Sequence, residues 1–234
     1  MVEKEAIMQI SQINHIDEEL ASLLVKTGKI IEFPKGQVLM RQREPVDAVY
    51  FQLSGISMIY NLTHHGKRKI LFLCGQGTLL NENIFNNYKA SVYCETLESS
   101  KMLVIPVDEM GKLMKENFSL VKAIIEAQEK KIWRLGHQLK NTNSSIYLEK
   151  KLAAKLWKLS RDFGIDREDG REIDINLSVT FLADMLGVSR ETTSRMFSIL
   201  VGIGLVKQNK KRIIILDEKA LSSFYRTYFG KSIQ

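Results

Sequence analysis

The stretch "LSVTFLADMLGVSRETTSRMFSIL", residues 177–200, decides how this chain is read. Its middle, "SRETTSR" (189–195), holds two arginines, one glutamate and four hydroxyl residues in seven positions. That is too polar for a buried helix and too regularly spaced for a loop. Apolar residues flank it at helical spacing: Leu182, Ala183, Leu186 and Val188 before, Met196, Ile199 and Leu200 after. The pattern predicts two helices joined by a tight turn at "LGVS" (186–189), with Ser189 capping the second. The apolar residues are expected to pack the two helices together. Arg190, Glu191, Ser194 and Arg195 then share the other face, because positions i, i+4 and i+1, i+5 lie on one side of a helix.

Those residue types suit base edges in DNA. Arginine donates two hydrogen bonds to guanine O6 and N7, and glutamate accepts one from cytosine N4. A carboxylate aimed at a polyanion costs affinity, so Glu191 makes sense as a specificity element or as an orienting partner for an arginine. The plainer reading is a solvated face with Arg190 or Arg195 paired to Glu191. The segment C-terminal to the motif weighs against it. "LVKQ" (205–208) and "RIIIL" (212–216) read as hairpin strands with Asn209, Lys210 and Lys211 at the tip, which completes a winged helix-turn-helix. Lys207, Lys210, Lys211 and Arg212 of the wing are candidate phosphate ligands, with the hydroxyls of Ser178, Thr180, Ser189 and Thr192 near the helix starts.

Around this motif, "IYLEKKLAAKLWKLSRDFG" (146–164) reads as an amphipathic helix ending at Gly164. A polar loop over 165–171 and a strand "EIDINL" (172–177) should follow it, and "DEKALSSFYRTYF" (217–229) should be a closing helix. Further upstream, Lys29 to Asp108 is a series of short runs such as "KIIEF", "AVYFQLSG", "ISMIYNL", "KILFLC" and "KMLVI". Turn signals separate them, among them Pro34-Lys35-Gly36, Ser54-Gly55 and His65-Gly66, as in an antiparallel barrel or jelly roll. A helix over 16–28 precedes these strands.

At Asp108, a candidate N-cap after Pro106, the period changes to that of a long helix. Val121, Ile125, Gln128, Ile132, Leu135, Leu139, Thr142 and Ile146 recur at spacings of four and three, with charged flanks. The plainer reading is a long helix lying on its own barrel, but a stripe so narrow on so polar a helix favours a dimer seam, carried by Ile125, Gln128, Ile132, Leu135, Leu139 and Thr142. "KNTNSS" (140–145) interrupts the pattern with cap and turn residues. The expected organisation is a sensing domain over 1–107, a dimerisation helix and hinge over 108–144, and a DNA-binding domain over 145–234. The fold class is α+β.

Composition agrees. Of 234 residues 44% are hydrophobic and 26% charged, enough for a packed core, and a formal charge of +7 favours a polyanionic partner. The apolar runs are too short to span a membrane. "MVEKEAIMQ" lacks the basic flank and apolar run of a secretion signal, so a reduced, cytoplasmic protein is expected. Cys74 and Cys94 are too few for a four-cysteine cluster and sit in apolar runs, as inert buried thiols do. His64 and His65, adjacent in a turn, lack metal-site spacing, and no metal is expected. With no phosphate-cradling GxxxxGK, no HExxH and no carboxylate cluster, the expectation is not an enzyme.

"VSRETTSR", with Leu182, Ala183 and Gly187 ahead of it, resembles the DNA-binding motif of the CRP/FNR transcription regulators. "FPKGQVLMRQREPVDAVYFQLSGISMIY" (33–60) is similar to the entry strands of that family's cyclic-nucleotide-binding-type barrel, and the resemblance covers almost the whole chain. It implies a homodimer on a pseudo-palindromic operator with a TGTGA-like or TTGA-like half-site. It also implies an effector in the barrel and, for an activator, RNA polymerase as a partner. By resemblance, Arg190, Glu191 and Arg195 match base-reading positions, and Ser194 a serine of FNR-like members. The effector pocket would hold Asn81, Glu82, Lys89 and Ser91, with Leu135, Gly136 and His137 from the long helix. The family's cyclic-nucleotide binders present a Gly-Glu step and an Arg-Ser/Thr pair, but here "LLNENIFNNYKASVYCE" (79–95) has Asn81 for the glycine and no arginine. A buried cyclic phosphate needs a partnered cation, and Lys89 lacks arginine's planar fork, so the effector is expected to be unidentified and not cyclic AMP. The remaining alternative is a signal-binding module that acts through protein contacts instead of DNA.

Overall fold

The computed structural model describes residues 6, 7, 10, 16–81, 83, 84, 89–140 and 147–226, apart from the Lys140 side chain. The chain divides into two compact units, residues 1–66 with 70–137, and residues 67–69 with 138–234. Thr142 and Ile146 of the expected seam and Glu82 of the expected pocket lie outside the described residues.

The first unit opens with α1 (Glu18–Thr27), capped by Asp17, whose Oδ1 accepts the Leu20 N–H at 2.8 Å. Gly28 ends it where a Cβ would stand 2.9 Å from the Val104 carbonyl oxygen. Strands β1 (Lys29–Phe33), β2 (Val38–Met40), β3 (Ala48–Ser54) and β4 (Ser57–Leu62) come next. After them come β5 (Arg68–Cys74), β6 (Thr78–Leu79), β7 (Tyr93–Thr96) and β8 (Ser100–Pro106). They form two four-stranded sheets, ordered β1-β8-β3-β6 and β2-β7-β4-β5. Of the expected barrel or jelly roll this is the two-sheet jelly roll: among the described residues hydrogen bonding stops at β1 and β6 in one sheet and at β2 and β5 in the other. Along β8 the side chains alternate with period two. Leu103 and Ile105 join Leu20, Leu24, Phe51, Met110 and Leu120 in one core. Met102 joins Ile59, Phe72, Leu80, Cys74 and Cys94 in the other. The central strands β3 and β8 of the first sheet bury most residues on both faces, which is why they read as near-continuous apolar runs, whereas β1 is largely exposed.

The single long helix expected after Asp108 is two helices. Pro106 occupies the N-cap of α2 (Val107–Glu116), so Asp108 sits in the first turn, not at the cap. α3 (Phe118–Lys140) follows a break at Asn117. Asn117 has extended geometry (φ −128°, ψ 95°). Its backbone N–H and its side-chain Nδ2 both donate to the Leu113 carbonyl, each at 2.9 Å. Its own carbonyl accepts the Leu120 N–H at 3.1 Å, so one asparagine closes one helix and opens the next. On α3, Leu120, Ala123 and Ile124 are buried, while Ile132 is 67% exposed and Leu139 68%. Ile125 and Leu135 are also exposed. Gln128, expected in the seam, bonds within its own chain: its Nε2 donates to the Asn81 carbonyl at 3.0 Å, beside Lys131 Nζ at 2.7 Å. These side chains satisfy a main-chain group just past the end of β6 that no strand partner reaches.

The second unit runs α4 (Leu148–Phe163), β9 (Gly164–Arg167), β10 (Gly170–Ile173), α5 (Val179–Leu186), α6 (Arg190–Gly202), β11 (Val206–Asn209), β12 (Arg212–Ile215) and α7 (Glu218–Arg226). Its sheet is ordered β11-β12-β10-β9. The polar segment expected as a loop is the β9–β10 hairpin, with Gly170 paired to Arg167. Gly170 turns the chain at φ +137°, a backbone conformation open to glycine. Only one side of this hairpin packs on the domain, so its apolar content is too low to read as strand. The core joins Leu152, Leu156, Leu182, Leu200, Ile213 and Leu221, all at most 1% exposed. Arg171 ties the unit together, with Nε donating to the Ser160 carbonyl at 2.9 Å and Nη1 to Asp166 at 2.6 Å.

Candidate nucleic-acid interface

Each helix of the 177–200 motif starts on a serine. Ser178 Oγ accepts the Phe181 N–H and Ser189 Oγ the Thr192 N–H, both at 3.1 Å. Between the helices Gly187 is left-handed (φ +73°), and its N–H donates to the Ala183 carbonyl at 2.7 Å. That closes α5 within one residue and lets α6 leave at a sharp angle. Leu182, Ala183 and Met185 of α5 are buried, as are Thr193, Met196, Phe197 and Leu200 of α6. Leu186 and Val188 are half-buried. Ile199, expected inside, is 49% exposed, and Phe197 takes the inner place. Inner positions 193, 196, 197 and 200 keep helical spacing, and Ile199 falls on the side of Arg195, four residues earlier.

The outer face of α6 carries Arg190, Glu191, Ser194 and Arg195, all exposed. Ser198 extends it, a residue missed in the sequence although 190, 194 and 198 are spaced by four. Arg190 and Arg195 form no ion pair within 4 Å among the described residues. The Glu191 carboxyl is held below its ordinary value, chiefly by a hydrogen bond from its own backbone N–H, then by the Ser189 hydroxyl, and Arg190 is close enough to lower it further. It is folded back on the helix start, where the exposed amides favour negative charge. Thr180 is exposed in the first turn of α5, and the Thr192 hydroxyl lies 2.9 Å from that of Ser189.

In the wing, Lys210 turns the chain at φ +55°, its carbonyl held by Gln208 Nε2 at 2.9 Å. Lys210 and Lys211 are exposed and unpaired among the described residues. Lys207 and Arg212, expected beside them as free phosphate ligands, are already engaged: Lys207 Nζ with Asp169 and Arg212 Nη1 with Asp174. The Lys207 hydrogen bond holds the Asp169 carboxyl below its ordinary value. Each pair joins residues 38 apart, too far for any local signal.

Residues 30–117 match the cyclic nucleotide-binding domain family, and residues 150–224 match the Crp-like helix-turn-helix domain. The chain belongs to the CRP/FNR family of bacterial transcription regulators. Among CRP/FNR relatives, the anaerobic regulatory protein of Pasteurella multocida is 26% identical over 88% of this chain and 75% of its own length. The CRP-like cAMP-activated global transcriptional regulator of Mycobacterium tuberculosis is 20% identical over 88% of this chain and 92% of its own. Among solved structures, FixK2 from Bradyrhizobium japonicum superposes with a TM-score of 0.72 at 16% identity, covering 84% of this chain and 96% of that one. The c-di-GMP responsive regulator CLP of Xanthomonas campestris gives 0.73 at 18% identity, over 83% of this chain and 96% of that one. The chain is thus a CRP/FNR-type transcription regulator with a helix-turn-helix DNA-binding domain, and the protein-contact alternative is not favoured. No described helix is long and apolar enough to cross a membrane.

The residues expected to line a CRP/FNR effector pocket lie in the first unit, where Gln128 and Lys131 of α3 reach the Asn81 carbonyl. Asn81 is fully buried and its side chain brackets β3, with Oδ1 accepting the Tyr50 N–H and Nδ2 donating to the Ala48 carbonyl, both at 2.8 Å. That role explains why an asparagine stands there. Lys89 and Ser91 are exposed ahead of β7. Leu135, Gly136 and His137 are exposed on α3, where the His137 ring lies 3.9 Å from that of Trp133. A cleft of about 640 Å³ in this unit is lined by other residues, among them Ile84, Val107, Lys112, Met114 and Val121. Cys74 and Cys94 are buried, and burial pushes the Cys74 thiol up to about 11, against the pull of Lys131 and Arg134. At neutral pH the Cys74 thiol stays protonated and inert as a nucleophile.

Proposed function

We propose that the protein acts in the cytoplasm as a homodimer on a pseudo-palindromic operator, switched by an effector bound in the jelly roll. One observation carries the reading: a helix started by a Ser189 cap displays Arg190, Glu191, Ser194 and Arg195 on a single open face. In this reading residues 1–107 sense, 108–144 dimerise and hinge, and 145–234 bind DNA. Base edges are read by those four side chains. Phosphates are held by Lys210 and Lys211 and by hydroxyls at the two helix starts, from Ser178, Thr180, Ser189 and Thr192. The exposed residues Ile125, Ile132, Leu135 and Leu139 form the dimer seam. If the protein activates, its further partner is RNA polymerase. The test is selection from a randomised duplex pool. An enriched inverted repeat with half-sites roughly 34 Å apart, about one helical turn, is the expected result. Enrichment of single unpaired sites, or of none, would overturn it.

The effector in this reading is not cyclic AMP. Asn81 spends both ends of its amide on β3, and Lys89 is exposed, so no arginine fork stands ready for a buried phosphate. Titration calorimetry with cyclic AMP should show no saturable binding tighter than about millimolar. A micromolar dissociation constant would show that Lys89 or α3 supplies the missing charge.

A further inference from the structure

Half of the wing's cations are occupied by the domain's own carboxylates. Lys207 on β11 is held by Asp169 in the β9–β10 turn, and Arg212 at the start of β12 by Asp174 just after β10. Lys210 and Lys211 have no such partner among the described residues. We propose that Asp169 and Asp174 are determinants of DNA affinity, competing with backbone phosphates for Lys207 and Arg212 and so holding down sequence-independent binding. The inference rests on the DNA-binding reading above and deepens it.

The physical basis is competition at a surface. All four side chains are between 32% and 49% exposed, where a pair gains little and exchanges partners readily. When a phosphate takes Lys207 or Arg212, the aspartate is left unpaired beside the polyanion, so the net charge that displaces counterions does not rise and little is added to the salt slope. The wing then grips any duplex with Lys210 and Lys211 alone. Base contacts from α6 make up a larger share of the total, which sharpens discrimination between operator and bulk DNA.

The experiment measures binding of the full chain to a non-cognate duplex between 50 and 200 mM salt, by fluorescence anisotropy. Asp169→Asn with Asp174→Asn frees two cations per chain. The slope of log affinity against log salt should steepen by about four per dimer. Affinity at the low-salt end should rise roughly a hundredfold relative to the high-salt end, at about threefold per phosphate contact. Glu168→Gln removes one negative charge from the same exposed turn without freeing a wing cation, and should move the slope far less. Lys207→Ala should leave the parental slope unchanged but lower it by about one per chain in the Asp169→Asn background. The conditional effect is a signature that general charge attraction does not produce.

A slope that stays put or becomes shallower in the double variant, with its unfolding transition intact, overturns the proposal. It would mean that the aspartates orient the cations toward phosphate. Failure of both parent and variant to bind any duplex at 50 mM salt would remove the DNA-binding reading and this inference together. That result is distinct from binding without a change of slope.

Discussion

Ile132→Asp is expected to leave a folded monomer at micromolar concentration. Ile132 is 67% exposed on α3, so an aspartate there disturbs little within one chain. In a two-fold seam the same change removes two apolar side chains and places two carboxylates face to face. Burying an isoleucine is worth about 1.5–3 kcal/mol, and a buried unpaired charge costs more than that. A combined loss on the order of 5 kcal/mol raises the dissociation constant by between three and four powers of ten, roughly. Sedimentation velocity reads the outcome directly, with Ile132→Leu as the variant that keeps the dimer. A dimer that survives Ile132→Asp unchanged would place the interface elsewhere on the surface. The same variant should lose operator binding while keeping weak sequence-independent binding, since each wing still holds its lysines.

What was legible in the sequence is what local chemistry decides. The helix-turn-helix could be read because its devices lie within a few residues of one another: a serine cap, a left-handed glycine, and polar and apolar positions in helical period. The inner jelly-roll strands β3, β4 and β8 could be read because burial on both faces leaves near-continuous apolar runs between turn residues. The break at Asn117 was not legible, because a single asparagine closes one helix with its N–H and side-chain amide, opens the next with its carbonyl, and leaves the apolar period nearly in phase. The bond made by Gln128 was hidden for a related reason. Its spacing is that of the seam, but a main-chain carbonyl 47 residues away claims it. The β9–β10 hairpin hid in polarity. The carboxylates that occupy Lys207 and Arg212 hid in distance along the chain. For the site, the face of α6 was readable in full up to Arg195. Which wing cations are engaged was not readable, because ion pairing across strands depends on sheet order.

The remaining large effect separates base reading from phosphate holding. Arg195 is exposed on α6 and unpaired among the described residues, so its guanidinium is available to a guanine edge. Arg195→Ala should cost roughly 1–3 kcal/mol per half-site and erase preference at one base pair. Over a dimer that is about thirtyfold at the low end and far more at the high end. Glu191 behaves differently because its carboxylate rests against the start of its own helix, beside Ser189. It must leave that position to accept from a cytosine, so Glu191→Ala should relax the neighbouring base pair while costing little affinity overall. A negative charge leaves the interface at the same time. Lys210 sits at the tip of the wing, exposed and unpaired among the described residues, so Lys210→Ala should weaken every duplex alike. It should lower the salt slope by about one per lost phosphate contact. Randomised-site selection on the three variants, with affinities followed across salt, distinguishes the roles. If Arg195→Ala preserves the parental sequence preference while Lys210→Ala alters it, α6 and the wing exchange the roles assigned to them.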